Sequence, residues 1–254
     1  MGAALLTQWR QVAGHEFFVI DPAIKDAGPA EGPGNVTFLA APPTEGDCRF
    51  DMVIVAVKPQ LIDTVLADYR SLLAMDGFVA SIAAGCSIAR LQAIIGTVPV
   101  IRIMPNLPAA IGAGVSGLCA DATASTAQRR AVEALMQAAG MILWVDDEDM
   151  LDRFTAIAGS GPGYVFEFAR SYVEASQALG FSAADARKLV LGTIGGSVAM
   201  ALSSDAPLDE LRESVTSKNG TTAAGLAALN GDGTLSGLLQ ATLDAAYGRA
   251  VALR

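Results

Sequence analysis

The run Asp51-Met52-Val53-Ile54-Val55-Ala56-Val57-Lys58-Pro59 decides the fold class of this chain. It is apolar without interruption from Met52 to Val57 and rich in β-branched residues, which is typical of a strand buried on both faces of a parallel sheet. Pro59 suits the first turn of a following helix. Shorter apolar runs alternate with helical patterns on both sides, as far as residue 145. This alternation predicts a doubly wound α/β sheet with right-handed crossovers.

The order of the elements divides the chain into an α/β part and a helical part. A first helix precedes Gly14, and strands are predicted at 17–20, 36–39, 51–57, 78–84, 99–104, 114–120 and 141–145, with helices at 59–74, 87–95 and 125–139. After Asp146 no strand pattern follows, and helices fit 148–157, 162–179, 182–203, 207–215, 221–230 and 233–253. We therefore predict two domains, 1–147 and 148–254, of which the second is all-α.

Small residues line several of the later helices, among them Gly192, Gly195, Gly196 and Ala199. Such residues permit helices to approach one another closely. An all-α domain of this kind often buries its faces against another copy of itself. We therefore expect a homodimer.

The overall composition argues against several classes of function. The chain has 254 residues, of which 52% are hydrophobic, and a formal net charge of −9. Because nucleic-acid binding needs clustered Lys and Arg, we expect no nucleic-acid partner. No apolar run reaches the ~18 residues of a membrane helix, so we expect no membrane partner. The acidity of the chain, with no signal-peptide pattern at its start, predicts a cytoplasmic location. Three widely spaced cysteines, Cys48, Cys86 and Cys119, and the single histidine, His15, form no metal-ligand pattern, so no metal site is expected.

The front of the chain resembles the end of a dinucleotide-binding turn. A Rossmann-like unit opens with a strand, then G-x-G-x-x-G, then a helix, and an acid follows about 20 residues later. Here Met1-Gly2 fits the last variable position and third glycine, and Asp21 lies 19 residues after Gly2. The usual first strand is lacking in this chain, so we expect the natural polypeptide to begin about 5–15 residues earlier. Asp21 favours NADH over NADPH, because a carboxylate accepts the ribose hydroxyls and repels a 2′-phosphate, although a turn Asp before Pro22 remains an alternative.

Two polar residues follow predicted parallel strands at the edge where doubly wound sheets bind ligands. Lys58 ends the strand that decides the fold, and Asn106 follows the strand that ends at Met104. Lys58 is a candidate for cofactor phosphate or ribose, or simply a solvated strand end. Asn106 is a candidate for a hydrogen bond to a nicotinamide or ribose, or a turn residue between two prolines.

A second important stretch, Glu213-Ser-Val-Thr-Ser-Lys-Asn-Gly-Thr-Thr-Ala-Ala-Gly-Leu226, joins a helix end, a polar turn and a new helix start. Free backbone N–H groups and the positive end of the helix dipole make such a start suited to a carboxylate or phosphate. The alternative is a common helix cap, in which Thr221 or Thr222 satisfies those N–H groups.

Four segments in this order closely resemble the pyrroline-5-carboxylate reductase family, which carries out the last step of proline biosynthesis. They are Ala56-Val57-Lys58-Pro59, Arg102-Ile-Met-Pro-Asn-Leu-Pro108, Gly159-Ser-Gly-Pro-Gly-Tyr-Val-Phe166 and Ser214-Val-Thr-Ser-Lys-Asn-Gly-Thr-Thr-Ala223. The resemblance implies an N-terminal NAD(P)-binding domain and a C-terminal helical dimerisation domain. It also implies interlocked dimers that commonly assemble further, into decamers.

The resemblance assigns roles to particular positions. Its cofactor segment corresponds to Ala56, Val57, Lys58 and Pro59, with Asn106 beside the nicotinamide, while Met1, Gly2 and Asp21 take the dinucleotide positions described above. Its substrate loop corresponds to Ser217, Asn219, Gly220, Thr221 and Thr222. The expected substrate, L-1-pyrroline-5-carboxylate, would place its carboxylate on the N–H groups of this loop and its ring nitrogen near the Thr222 hydroxyl, which makes Thr222 the expected catalytic residue.

This chain departs from the family pattern at two places. The glycine-rich turn is represented only by Met1-Gly2, and Lys218-Asn219 replaces the usual Pro-Gly of the substrate loop. Asn tolerates left-handed backbone geometry, so the turn can survive. Two rival interpretations stay open. One is a non-catalytic dimeric homologue that has lost cofactor binding, and the other is a two-domain dehydrogenase of the β-hydroxyacid type, which normally needs a catalytic Lys.

Overall fold

The computed structural model describes residues 1–23, 34–44 and 49–254. Cys48 lies outside the described residues. The chain forms two compact units: Met1–Pro162 together with Ala246–Arg254, and Gly163–Ala245. These units describe packing, and the division into domains after residue 147 stays a prediction.

The described residues of the first unit form two sheets, which confirms the α/β class. Their strands are β1 (Phe17–Ile20), β2 (Val36–Leu39), β3 (Phe50–Val55), β4 (Leu73–Ser81), β5 (Val100–Met104), β6 (Gly114–Ala120) and β7 (Gly140–Trp144). β1 pairs with β2 in parallel, and the larger sheet has the order β3-β4-β5-β6-β7. Its first three strands are parallel to one another, so their carboxyl ends lie at one edge.

The helices of the first unit are α1 (Gly2–Trp9), α2 (Ile62–Val65), α3 (Ile88–Ile95), α4 (Thr126–Ala138) and α5 (Glu148–Phe154). Two expectations need correction. The helix predicted at 59–74 is a short α-helix between two 3₁₀ segments, and β4 begins already at Leu73. The helix predicted at 148–157 passes into one π-helical turn at Thr155–Gly159.

The strand β6 runs antiparallel to β5, whereas strict βα alternation predicts a parallel neighbour. The connection between these strands carries only the 3₁₀ segment Leu107–Ile111. Because a parallel pair needs a crossover of about a dozen residues or more, so short a connection forces the chain to reverse direction.

The centre of the larger sheet is buried. Every residue of β5 is buried, and most of its apolar residues belong to clusters with side chains of α1, α3 and α4. One residue of this strand is charged: Arg102 is 1% exposed, and its Nη1 donates a 2.6 Å hydrogen bond to Oε1 of Glu148. The same carboxylate oxygen accepts the backbone N–H of Ile88 at 3.0 Å. Glu148 therefore joins the starts of α3 and α5 to the middle of the sheet.

The second unit is built from helices alone, as predicted. They are α6 (Gly161–Ala178), α7 (Ala183–Leu202), α8 (Leu208–Ser214), α9 (Thr221–Asn230) and α10 (Thr234–Ala252), whose last residues belong to the first unit. Within residues 163–245 the buried hydrophobic residues are Ala169, Ala186 and Val190. Large apolar side chains such as Phe166 and Phe168 remain 60% and 48% exposed. The helices of this unit therefore do not bury their apolar faces within one chain.

The ion pair between Arg102 and Glu148 gives a test of the first unit. We expect Glu148→Ala to lower the free energy of unfolding by about 3 to 5 kcal/mol, because it leaves a buried guanidinium without its partner. Urea unfolding followed by tryptophan fluorescence measures this unit, since Trp9 and Trp144 both lie in it. Asp63→Ala, which breaks the exposed pair with Arg90, is the control and should change little. Equal effects of the two substitutions would contradict this interpretation.

Candidate functional site

The first candidate site lies at the carboxyl edge of the parallel strands β3, β4 and β5. The segments that leave this edge are 56–59, 82–87 and 105–108. Ligands of open α/β sheets bind in this position, because helix starts and strand ends converge there. The predicted residues Lys58 and Asn106 both belong to these segments.

The start of α1 comes close to this edge. A Cβ atom built on Gly2 would lie 3.1 Å from Cβ of Ala56, so a larger residue at position 2 would press on the end of β3. Met1 is the N-cap of α1, and no side chain in the described parts of the chain caps the helix there. The first-turn N–H groups therefore remain available to an anion such as a phosphate. The structure thus brings Met1, Gly2 and Ala56 together.

Asp21 follows β1, and its side chain is exposed. Its Oδ1 accepts the backbone N–H of Ala23 at 2.9 Å, which is the turn geometry that was the alternative interpretation. Its own N–H donates to the Leu39 carbonyl at 3.0 Å, so the residue is held at the end of the smaller sheet. The turn uses one carboxylate oxygen, and contact of the other with a ribose stays a prediction.

Lys58 is exposed and has extended backbone geometry, which ends the strand and starts the 3₁₀ segment Pro59–Leu61. The Pro59 carbonyl accepts a 3.2 Å hydrogen bond from Nη2 of Arg90. The same Arg90 forms an ion pair with Asp63, and the hydrogen bonds that Arg90 donates to this carboxylate hold the pKa of Asp63 below its usual value. The backbone after β3 is therefore tied to α3. A role of Val57, Lys58 and Pro59 in cofactor binding stays a prediction.

Asn106 is 6% exposed and its carboxamide bridges two backbone groups. Nδ2 donates to the Ala158 carbonyl at 3.0 Å, and Oδ1 accepts the N–H of Val115 at 2.9 Å. The side chain thus ties the end of β5 to β6 and to the π-helical turn Thr155–Gly159. Such turns are frequent at functional sites. The predicted hydrogen bond to a nicotinamide or ribose would use the second N–H or lone pair of the same group.

The second candidate site is the turn between α8 and α9, in the other unit. Asn219 has a φ of 61°, and among the described residues it alone is a non-glycine with positive φ. This is the left-handed geometry that Asn tolerates. The Gly220 N–H donates to the Ser217 carbonyl at 3.0 Å, and a Cβ on Gly220 would collide with Oγ of Ser217. A larger residue at position 220 would therefore displace the Ser217 hydroxyl from this turn.

Gly220 is also the N-cap of α9, and no described side chain caps that helix. The helix cap by Thr221 or Thr222, which was the alternative interpretation, is therefore not what the structure contains. The N–H groups of the first turn have no side-chain partner among the described residues, and the hydroxyl-bearing residues Ser217, Thr221 and Thr222 belong to the same turn and helix start. Thr222 is half-buried, whereas Ser217 and Thr221 are exposed. This arrangement can bind a small anion and can offer a hydroxyl beside it.

Sequence patterns missed the charged network behind the first site. Glu148 and Asp152, in α5, lie 46 and 50 positions from Arg102 in sequence, so no local spacing links these residues. One signal existed: a single arginine within the apolar run of β5 needs a buried partner. Across 1–23, 34–44 and 49–254 no group of three or more His, Cys, Asp or Glu could hold a metal ion. No described helix combines the length and apolar character needed to cross a membrane.

Comparison with known proteins identifies the family. Residues 148–253 match the family model described as "Pyrroline-5-carboxylate reductase dimerisation". The chain is 41% identical to the pyrroline-5-carboxylate reductase of Pseudomonas aeruginosa over 204 aligned residues. This alignment covers 80% of this chain and 74% of that protein.

Solved structures lead to the same family. A pyrroline-5-carboxylate reductase from Coxiella burnetii matches 99% of this chain and 94% of its own, with a TM-score of 0.90 and 28% identity. The pyrroline carboxylate reductase of Plasmodium falciparum, with NADP bound, matches 100% of this chain and 94% of its own, with a TM-score of 0.84 and 28% identity. The rival assignment to β-hydroxyacid dehydrogenases is therefore wrong, and the resemblance in the four segments is confirmed. This chain belongs to the pyrroline-5-carboxylate reductase family.

Proposed function

We propose that this protein reduces L-1-pyrroline-5-carboxylate to L-proline, with NAD(P)H as the hydride donor. The observation that carries the proposal is the uncapped start of α9, at the loop that corresponds to the substrate loop of the family. The substrate is a small cyclic imine with one carboxylate. A helix start flanked by hydroxyl groups offers the chemistry that such a molecule requires.

The substrate carboxylate binds to the N–H groups of the turn formed by Ser217, Asn219, Gly220, Thr221 and Thr222. The positive end of the helix dipole favours this charge. Gly220 keeps the backbone accessible at the point of closest approach. The neighbouring Lys218 is exposed and adds positive charge to the same turn. The carboxylate thereby fixes the position of the ring.

Thr222 acts on the ring nitrogen through its hydroxyl group. A protonated C=N bond accepts hydride more readily than a neutral one, so the protein has to hold the protonated imine in one orientation. A hydroxyl can donate to or accept from the nitrogen as its proton state changes. No strong side-chain acid is needed, which agrees with a turn rich in Thr and Gly. Catalysis then rests on positioning.

The first unit fits a dinucleotide cofactor. The N–H groups at the start of α1, beside Met1 and Gly2, would hold a phosphate, and the exposed Lys58 at the end of β3 adds a positive charge. When bound, the nicotinamide supplies the hydride. The buried Asn106 keeps the end of β5 and the π-helical turn in one arrangement beneath that edge.

Asp21 gives a preference for NADH within this proposal. The oxygen that the turn with Ala23 leaves free can accept ribose hydroxyl groups, whereas the negative charge opposes a 2′-phosphate. The NADP bound in the Plasmodium falciparum structure is a property of that protein. In this chain, the preference between NADH and NADPH depends on Asp21.

The proposal includes a homodimer in the cytoplasm, built through α6–α10, that can assemble further into a decamer. The exposed apolar side chains of these helices, such as Phe168 and Leu191, support it. Helical faces without partners in one chain are typical of surfaces covered by a second copy.

Thr222→Ala tests the catalytic assignment. We expect kcat to fall at least about tenfold, which corresponds to about 1.4 kcal/mol of transition-state stabilisation. Thr222→Ser keeps the hydroxyl and should retain most of the activity. Thr234→Ala, at the start of α10, is the control. The measurement is the initial rate of NADH oxidation with pyrroline-5-carboxylate, together with proline formed. Wild-type kinetics in Thr222→Ala would remove this residue from the mechanism, and no proline from the wild type would favour the non-catalytic homologue.

Asp21→Asn tests the cofactor preference. Removing this charge should shift the ratio of kcat/KM for NADH to that for NADPH at least about tenfold towards NADPH, because the repulsion of the 2′-phosphate is lost. Asp51→Asn is the matched control, since this exposed acid lies at the amino end of β3. An unchanged ratio in Asp21→Asn would contradict the assignment.

A further inference from the structure

The last residues of the chain pack on the first unit, although the helix that carries them begins in the second. Ala246–Arg254 belong to the compact unit that contains the sheets. Ala250 is 9% exposed. Three kinds of contact hold this segment, which we call the C-terminal segment.

The first contact joins the segment to α5 through Asp149. The Tyr247 hydroxyl donates a 2.6 Å hydrogen bond to Oδ1 of Asp149, and Nε of Arg153 donates to Oδ2 of the same carboxylate at 2.9 Å. The Arg153 guanidinium also lies 5.0 Å from the centre of the Tyr247 ring. The hydrogen bonds from Tyr247 and Arg153 lower the pKa of Asp149, so this carboxylate is charged at neutral pH.

The second contact is an ion pair with a buried acid. Nε of Arg254 lies 2.7 Å from Oδ2 of Asp152, and Asp152 is 3% exposed. Burial raises the pKa of Asp152, while the charges of Arg254 and Arg102 oppose that rise. Within the described residues, Asp152 forms its ion pair with Arg254 and with no other cation. Loss of Arg254 would therefore leave this buried carboxyl without a cation in contact.

The third contact reaches the candidate cofactor edge. Gly85 lies in the 82–87 loop that follows β4, with a φ of +68°. A Cβ built on Gly85 would lie 2.5 Å from the Leu253 carbonyl oxygen, so the backbone before Arg254 rests directly on this loop. The end of the loop is fixed from the other side, because Ile88 donates its N–H to Glu148. The loop is therefore held between α5 and the C-terminal segment.

We propose that Arg254 is a positioning residue that keeps the 82–87 loop in place for the nicotinamide cofactor. It acts by anchoring Leu253 against Gly85 through the ion pair with Asp152. This inference rests on the proposed function, because the loop lies between two segments that we assign to cofactor binding, 56–59 and 105–108. It goes beyond the family resemblance, whose assigned residues do not include the C-terminal segment.

Arg254→Gln tests this proposal by two readouts. We expect amide hydrogen exchange at residues 82–88 to become about tenfold faster in the free protein, because the loop opens more often. We also expect KM for NADH to rise about fivefold while kcat stays within about twofold, because cofactor binding and not chemistry is affected. Arg254→Lys keeps the charge and should restore both values to within about twofold. Arg249→Gln, an exposed arginine of the same helix, is the control.

A second pair of variants distinguishes the effect of the contact between Gly85 and Leu253 from the strain of placing a side chain at positive φ. Gly85→Ala and Gly14→Ala both place a side chain at positive φ, but only Gly85 faces Leu253, since nothing lies within 4 Å of a Cβ at Gly14. Gly85→Ala should reproduce the faster exchange at 82–88, and Gly14→Ala should not.

Three results would overturn the proposal. They are wild-type exchange at 82–88 in Arg254→Gln, faster exchange spread evenly over the whole first unit, and a loosened loop with unchanged KM for NADH. A wild type that oxidises neither NADH nor NADPH would defeat the proposed function instead. In that case the exchange comparison still decides whether Arg254 holds the loop.

Discussion

The constraint on which the rest of this structure depends is the shortage of buried apolar surface in the helical unit. Five helices contribute to residues 163–245, yet only three hydrophobic residues of that span are buried. Burial of apolar area is the main favourable term in folding, so helices that leave Phe166 and Phe168 exposed need another surface. The family model that matches 148–253 is one of dimerisation. Both observations agree with helices whose missing partner is a second copy of the chain.

The first unit differs from the helical unit, because it has buried apolar clusters of its own and also contains buried charged residues. Arg102 and Glu148 form an ion pair between β5 and α5, and Asp152, also in α5, forms a second ion pair with Arg254 of the C-terminal segment. Buried ion pairs contribute little net stability, but they fix the positions of the elements they join. Here these elements are α3, α5, β5 and the C-terminal segment. All of them support the edge at which the cofactor residues are proposed to lie.

Local patterns predicted much of this fold, and the misses have physical reasons. The strands β3, β5 and β6 were predictable from their apolar, β-branched runs. The prediction that the run at 51–57 is buried on both faces is wrong, because β3 is the edge strand of the larger sheet and buries only Val53 and Val55. The direction of β6 depends on the length of its connection, and the breaks in the helix at 59–74 depend on packing against the sheet.

In the site, Asn219 could be predicted to adopt a left-handed turn. The uncapped start of α9 could not, because Thr side chains at a helix start predict a cap equally well. The contact of Arg254 with Asp152 spans 102 positions and leaves no periodic signal.

The central claim is that this chain completes its helical unit by pairing with itself, and sedimentation equilibrium tests that claim most directly. The wild type should have the mass of two chains, or a multiple of it. Phe168→Glu should shift the population towards single chains, because it places a charge on the exposed face of α6. Met75→Glu should not, since Met75 is fully exposed in the first unit. A wild type with the mass of one chain at micromolar concentration would contradict the account.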